Sequence, residues 1–566
     1  MQRGLTILKF GGSVLDDGRS YGRAVSEIHR WRRAGDRVVA VVSAASGETE
    51  RLLREAGELC AEDDPHALAH WLAGGEERSA ARLALHLARA GIGVRVLDAA
   101  ALGLVADGDP LDAEPVRLDP ARVEVAHAAD EVVVVPGFAA RDVGGRTVLL
   151  GRGGSDSTAL FLAEALRATR CRLVKDVDGL YEWDPAREGP RPRRYASLGY
   201  ADALRTDGTI VQHKAIERAW SLGVAFEVAG LGRRHRTVVG ASTVLASEED
   251  DEAPRPLRVS LLGRGTVGAG VEALVAAEPE RFELGPVLVR DVAGRPAAER
   301  LTADGEWAVA GAEVVVEALG GVEPARTLVA RALAAGAHVV TANKALIAEH
   351  GPELLALARA SGVRLLCSAS VGGCMPLLER IPSGAPVRRV RGVLNGTVNA
   401  VLDSVARGAS FERAVASAQA VGLAESDPTR DLDGRDAADK LAVIACALGA
   451  ELDPKSVRRE SLDEAVVARA RDAAQARGSR LRQVSTLWLD GDVPRGSVGF
   501  EECAPGTALG SCVGPGNAAL VERDDGSLER VAGIGAGRWP TAEAVLGDLH
   551  ALARETPRRN PARATG

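Results

Sequence analysis

The chain has 566 residues, 46% of them apolar and 26% charged, with a formal net charge of −8; this length exceeds a single hydrophobic core and implies two to four domains. The interspersed charges exclude a basic stripe for nucleic acid and a polybasic membrane patch, and no apolar run approaches the ~18 residues needed to span a bilayer. Seven cysteines, an odd number without CxxC or Cys/His ligand spacing, exclude a disulfide framework and a zinc site and read mostly as small buried hydrophobes.

The first expected element is a strand in MQRGLTILKFGG, whose apolar run is too short for a signal peptide. It ends in Lys9 and is followed by Gly11, Gly12 and Ser13. Backbone amides of paired glycines can cradle a phosphate, and the lysine can neutralise charge on a transferring phosphoryl group; GxxxxGK is absent, so this is not a P-loop. Short β-branched runs at 38–42, 132–135 and 172–174 alternate with Ala/Leu/Arg helical stretches, which predicts an α/β sandwich with parallel strands over residues 1–246. Along it lie VVSAASGETE, GGEERSA with Glu76, VPGF, LLGRGGSDSTAL with Arg152, Ser155 and Asp156, and VKDVDGLYEWDP with Lys175, Asp176, Asp178, Gly179 and Asp184.

The acidic, proline-containing segment 247–257 reads as an interdomain linker. Beyond it, strands expected at 258–262, 286–289, 313–316 and 338–341 predict a doubly wound, Rossmann-type domain over 258–386. RVSLLGRGTVGAGV places Gly263, Gly265 and Gly268 between a strand and a helix, with Thr266 and Val267 in the helix's first turn. The glycines serve a tight turn, close approach of a pyrophosphate, and helix–strand packing, so the run is expected to bind a dinucleotide. Asp291 follows at the spacing of a ribose-binding acid, with Arg290 beside it and Arg264 and Arg295 as further candidates for the extra phosphate of NADP. Glu317, Gly320, Thr341, Asn343, Lys344 and the ASVGGCMP segment lie at or just beyond expected strand ends and should converge on the nicotinamide.

From about Val387 longer helices and polar loops predict a separate α+β substrate domain over 387–529, and residues 557–566 read as a disordered tail. GVLNGTVNAVL is followed by AVGLAESDPTRDLDGRDAADKLAVIA, in which Asp436 and Lys440 stand one helical turn apart. Glu425 and Asp431 precede them in a loop, and four such groups suit an amino-acid substrate whose ammonium needs carboxylates.

Of the 70 basic residues six are lysines: Lys9, Lys175, Lys214, Lys344, Lys440 and Lys455. Where arginine has displaced lysine almost everywhere, a retained lysine marks a place for a compact ammonium with a tunable pKa. Lys455 alone reads as a solvated surface residue.

In this order the motifs of the second half resemble homoserine dehydrogenase over nearly all of 258–549, and GIGAGRWPTAEAVLGDL is similar to the segment with which that family returns to complete its nucleotide domain, here at about 530–556. The resemblance implies interconversion of aspartate 4-semialdehyde and homoserine with NAD or NADP. It also implies Lys440 as proton donor, Lys344 near nicotinamide and substrate, and Glu425 and Asp431 on the substrate. Lys440, Lys344 and Asp431 are the expected catalytic group, and Asp436 joins Glu425 in binding. Homodimerisation through the domain after Val387 is a further implication. The family has Glu before its Ala-Ser-Val segment, associated with a monovalent cation; this chain has Ser368, so sodium or potassium near Val371 and Gly373 would rest on backbone carbonyls.

The first half resembles the amino acid kinase superfamily over about 5–230, and aspartate kinase most closely. This implies that Glu76, Arg152, Ser155 and Asp156 bind the amino acid, while Lys9, Gly11, Gly12, Ser13 and the run from Lys175 to Asp184 face ATP and Mg²⁺. The acceptor carboxylate is already ionised at neutral pH, so stabilising the transferring phosphoryl suffices. Two departures stand out: Ser13 and Val14 replace a Thr-Ser pair, and Lys214 replaces the proline after His213. The alternatives are therefore an aspartate kinase or a non-catalytic or differently specific binding module. No ACT regulatory domain is expected in either half, hence weak inhibition by threonine or lysine. The whole resembles bifunctional aspartate kinase/homoserine dehydrogenases, expected in the cytosol and acting on small molecules, as a homo-oligomer, without nucleic acid or membrane.

Overall fold

The computed structural model describes residues 4–59, 64–190, 192–247, 255–292, 300–491 and 493–555. Cys60, Arg295, most of the expected linker and the expected tail lie outside these. The chain forms two compact units, Met1–Ala88 with Gly93–Ala253, and Arg89–Ile92 with Pro254–Gly566.

In the first unit, Leu5–Phe10 sits at the middle of a nine-stranded sheet, between the parallel strands Arg37–Val42 and Arg170–Lys175. Every residue of this strand is buried, the near-continuous apolar run of a strand covered on both faces. Lys9 occupies its carboxyl end, level with Leu173, one pair before Phe10 meets Val174. Ligands bind beyond the carboxyl ends of such strands. A second sheet of four strands includes Val105–Asp109 and Asp112–Arg117; turn-rich, half-exposed sequence hid it from periodicity.

The second unit holds two six-stranded sheets. The first has the order Leu301–Thr302, Phe282–Leu288, Leu257–Leu262, Val314–Glu317, His338–Thr341, Leu365–Leu366, all parallel. Numbered along the chain this is 3-2-1-4-5-6, the Rossmann order, whose switch point lies between Leu257–Leu262 and Val314–Glu317. Helix Arg538–Glu555 returns to it, and its Val545, Leu546 and Leu549 share a core with Val271 and Val275 of helix Thr266–Ala276. A Cβ on Gly270 would stand 3.1 Å from that of Ala542, so glycine permits the close approach.

The other sheet contains Arg495–Cys503, Arg480–Trp488, Val387–Val393, Gly516–Arg523 and Leu528–Ile534, antiparallel throughout this run. Helices Gly396–Ala406 and Arg435–Ala447 pack on it; the second is buried on all sides from Asp436 to Cys446. Helix Lys344–Ala360 lies against Arg435–Ala447 so closely that a Cβ on Gly351 would be 2.7 Å from the Cys446 sulfur.

Candidate active sites

The dinucleotide run adopts the geometry its three glycines require. Gly263 has φ +100° and a Cβ there would lie 2.7 Å from the Ala318 carbonyl oxygen; a Cβ on Gly268 would collide with the Gly263 carbonyl oxygen. Gly265 instead faces open space, as N-cap of helix Thr266–Ala276, and no side chain caps that helix. Free helix N–H groups beside an open glycine fit the pyrophosphate of a dinucleotide.

Arg264 is already paired with Glu272 at 2.6 Å, whereas Arg290 is exposed just past strand Phe282–Leu288, next to Asp291. On the other side of the switch point, buried Glu317 accepts from Thr341 Oγ1 at 2.5 Å and from the Leu319 N–H at 2.8 Å. Burial pushes its carboxyl up. Asn343 donates to the Gly321 carbonyl at 2.6 Å and caps helix Lys344–Ala360 through the Leu346 N–H.

That cap aims the first residue of the helix, Lys344, at the first turn of helix Arg435–Ala447. Lys344 Nζ lies 2.5 Å from Oδ1 of Asp436, and Lys440 Nζ lies 2.8 Å from Oδ2 of the same carboxylate. Burial opposes the charge on Asp436, but the two ammonium groups overcome it and hold the carboxyl far below the usual range. For Lys344 burial acts downward, and Asp436 more than offsets it, so its pKa is raised. Lys440 also donates to the Leu394 carbonyl at 2.6 Å. Asp431 joins through Asn395, whose Nδ2 donates to it at 3.0 Å and reaches Asp436 at 3.5 Å. Burial, then the charge of Asp436, raises the Asp431 carboxyl. Glu425 is exposed, its side chain making no hydrogen bond or ion pair among the described residues; no contact brings it to the lysines.

Ser368 donates its hydroxyl to Asp548 Oδ1 at 2.8 Å and its N–H to Oδ2 at 3.2 Å, so a carboxylate from the returning helix occupies its surroundings. Gly373, with φ +53°, packs on the Ile534 carbonyl. Among the described residues no group of three or more His, Cys, Asp or Glu could hold a metal.

The first unit repeats the lysine–aspartate–lysine arrangement. Asp156, in helix Gly154–Ala165, is buried with Lys9 Nζ 2.8 Å from Oδ1 and Lys175 Nζ 2.8 Å from Oδ2. Burial opposes its charge, and the two lysines bring its carboxyl down to about 2; burial, in turn, lowers Lys9. Glu76 accepts from the Ala44 N–H at 3.1 Å through Oε1, and burial raises its carboxyl to about 7.

Lys9, Gly11, Gly12, Ser13, Lys175 and Gly179 open on a cavity of about 1330 Å³, which Asp176, Asp178 and Asp184 also line. A Cβ on Gly12 would lie 2.5 Å from the Ala44 carbonyl oxygen, so that turn requires glycine. Size, paired ammonium groups and the glycine turn fit a nucleoside triphosphate, and the aspartates fit a Mg²⁺ held largely by phosphates. His235, followed by Tyr181 at 2.8 Å, holds Asp178 at about 2. Arg152 is exposed with no ion pair or hydrogen bond among the described residues, while Ser155 is buried at the helix start. Lys214 is bound to Asp112, to Glu114 at 3.0 Å and to the Leu150 carbonyl at 3.2 Å.

Asn395, Leu394 and Asn517 around Lys440 were not singled out as site residues by the sequence reading. Asn395 falls within GVLNGTVNAVL, whereas Asn517 lies outside every motif and a carbonyl has no sequence signal.

Residues 374–550 match the family model described as homoserine dehydrogenase, 263–368 that of the homoserine dehydrogenase NAD binding domain, and 4–224 that of the amino acid kinase family. The chain is 36% identical over 318 residues to a homoserine dehydrogenase of Synechocystis sp., covering 52% of this chain and 72% of that one. One from Pseudomonas aeruginosa gives the same identity and coverage. A solved homoserine dehydrogenase from Thiobacillus denitrificans superposes with TM-score 0.50 at 31% identity, over 54% of this chain and 76% of that one. Among the described residues no helix is long and apolar enough to cross a membrane.

Proposed function

Since the chain belongs to the homoserine dehydrogenase family and carries an amino acid kinase domain ahead of an NAD(P)-binding domain, we propose that it interconverts L-aspartate 4-semialdehyde and L-homoserine and separately phosphorylates L-aspartate. The observation that carries the first reaction is Asp436 held between Lys344 and Lys440. An ammonium has three N–H donors. On Lys440 one goes to Asp436 and one to Leu394, leaving the third for the substrate oxygen.

When bound, the dinucleotide supplies the hydride; Lys440 gives its proton to the oxygen that becomes the alcohol, and takes it back in the reverse direction. Asp436 holds both lysines in place and favours the ammonium form of Lys344, and Asp431, fixed by Asn395, faces the substrate's ammonium. Glu425, exposed in its loop, is left free to meet the substrate.

In the kinase unit, Lys9 and Lys175 stabilise the transferring phosphoryl, with ATP and Mg²⁺ against the glycine turn and the Asp176–Asp178 segment. Glu76 and Asp156 bind the amino acid's ammonium side and Arg152 its carboxylate. The family resemblance supports a cytoplasmic homodimer or higher homo-oligomer.

A split assay tests both halves: NADPH oxidation with aspartate semialdehyde, and ATP-dependent acyl-phosphate formation with aspartate, in wild type, Lys9→Ala and Lys440→Ala. Each substitution should abolish one reaction and spare the other. Failure of aspartate, glutamate and related acids as acceptors would leave the first unit a binding module.

A further inference from the structure

Lys440 takes its aim from a carbonyl that no strand holds. Strand Val387–Val393 ends one residue before Leu394, whose oxygen accepts from Lys440 at 2.6 Å. The same oxygen accepts from Nδ2 of Asn517 at 3.1 Å. A carbonyl oxygen has two lone pairs, and these two donors occupy both. Val393 pairs with Ala518 in the sheet, so Asn517 stands across from Leu394, buried, with Gly533 opposite it on the next strand.

The chain two residues further on touches that amide directly. A Cβ on Gly535 would collide with Asn517 Nδ2 and lie 2.8 Å from its Oδ1. The same stretch packs on the loop after Ser370: a Cβ on Gly373 would be 3.2 Å from the Gly535 carbonyl carbon, and one on Gly533 would be 3.1 Å from the Met375 backbone. Residues 533–535 are thus a glycine-thin spacer against which the Asn517 amide rests, on the way to the helix that completes the nucleotide fold.

We propose that Asn517 is a positioning residue for Lys440, acting through the Leu394 carbonyl, and that Gly535 is glycine so that Asn517 can hold this position. The proposal rests on Lys440 as the proton donor. With two N–H groups of Lys440 fixed, the direction of the third is set by where the Leu394 oxygen stands. Losing the Asn517 bond frees that oxygen, and a small misplacement of a catalytic group costs rate rather than binding.

Full-length Asn517→Ala, Gly535→Ala and the double variant test this through kcat, KM for both substrates and the thermal midpoint. Each single variant is expected to lower kcat of semialdehyde reduction about tenfold, with KM for NADPH changed less than about twofold. Because both break one bond, the double variant should be no slower than the worse single one. Gly535→Ala keeps Asn517 and only displaces its amide, so it carries the test if Asn517→Ala folds poorly. Unchanged kcat in Gly535→Ala, or losses that multiply in the double variant, overturn the proposal. Added to Lys440→Ala, Asn517→Ala should cost nothing further; substantial turnover by Lys440→Ala itself would instead refute the proton-donor assignment.

Discussion

Lys344 and Asp436, each in the first turn of its own helix, meet at 2.5 Å. A lysine at a helix N-terminus opposes the local dipole, so the carboxylate of the neighbouring helix compensates it. Asp436→Asn would leave two ammonium groups without their shared counter-ion. It should lower stability by about 3 kcal/mol and kcat for semialdehyde reduction by at least ~100-fold, read from urea melts and steady-state rates. Asp436 has a depressed folded pKa, so its contribution is present above the ordinary carboxylate range and is lost as pH falls through and below it. Lys344 has a raised one, so its contribution is lost only at strongly alkaline pH. The wild type should therefore lose stability relative to Asp436→Asn on acidification, and a constant difference between them would refute the clamp.

Glu76 behaves in the opposite sense. Its folded carboxyl is raised to about 7 by burial, so the unpaired protein loses stability as pH rises from the unfolded value towards 7. A substrate ammonium beside it would favour the ionised form. The KM for aspartate in the kinase reaction is expected to fall between about pH 6 and pH 8, and Glu76→Gln to remove that dependence. An identical pH profile in the variant would place Glu76 away from the amino acid.

The glycines of the dinucleotide turn should separate by role. Gly268→Ala meets backbone and should lower the thermal midpoint by several degrees; Gly265→Ala meets nothing within the fold. The second variant should keep its midpoint and raise KM for the dinucleotide at least ~10-fold. Equal destabilisation of both would contradict the open cradle.

Arg290 is the proposed contact for the extra phosphate of NADP, since it is exposed beside Asp291 while Arg264 is engaged by Glu272. Arg290→Ala should raise KM for NADPH about tenfold and leave that for NADH nearly unchanged. A matching rise for both would assign the residue no contact with the extra phosphate.

Much of this was legible in the chain because its lysines are few. Lys9, Lys175, Lys344 and Lys440 were all expected at sites, and the structure places them pairwise on Asp156 and Asp436. The Rossmann strands showed through their β-branched runs and the glycine spacing. The antiparallel sheet did not: Arg480–Trp488 buries Arg482, Gln483, Ser485 and Thr486, so the alternation that marks a strand is filled with polar residues on both faces. Glu425, whose substrate role the family resemblance implies, stands exposed in the loop after helix Phe411–Ala420, and loop paths have no periodicity to read. Arg152 is likewise exposed, between Gly151 and Gly153 at positive φ, where no hydrophobic pattern marks its place.

The helix Arg538–Glu555 closes the nucleotide fold that begins at Leu257. During synthesis the ribosome must therefore deliver about 270 further residues, from Val275 to Val545, before Val271 and Val275 gain their covering layer, about the length of a large domain. Until then the half-finished fold leaves that apolar helix face uncovered, the kind of surface that makes incomplete chains aggregation-prone. The sheet of the first unit has no such gap: its strands, from Leu5–Phe10 to Val244–Leu245, have all been synthesised before the second unit's first strand.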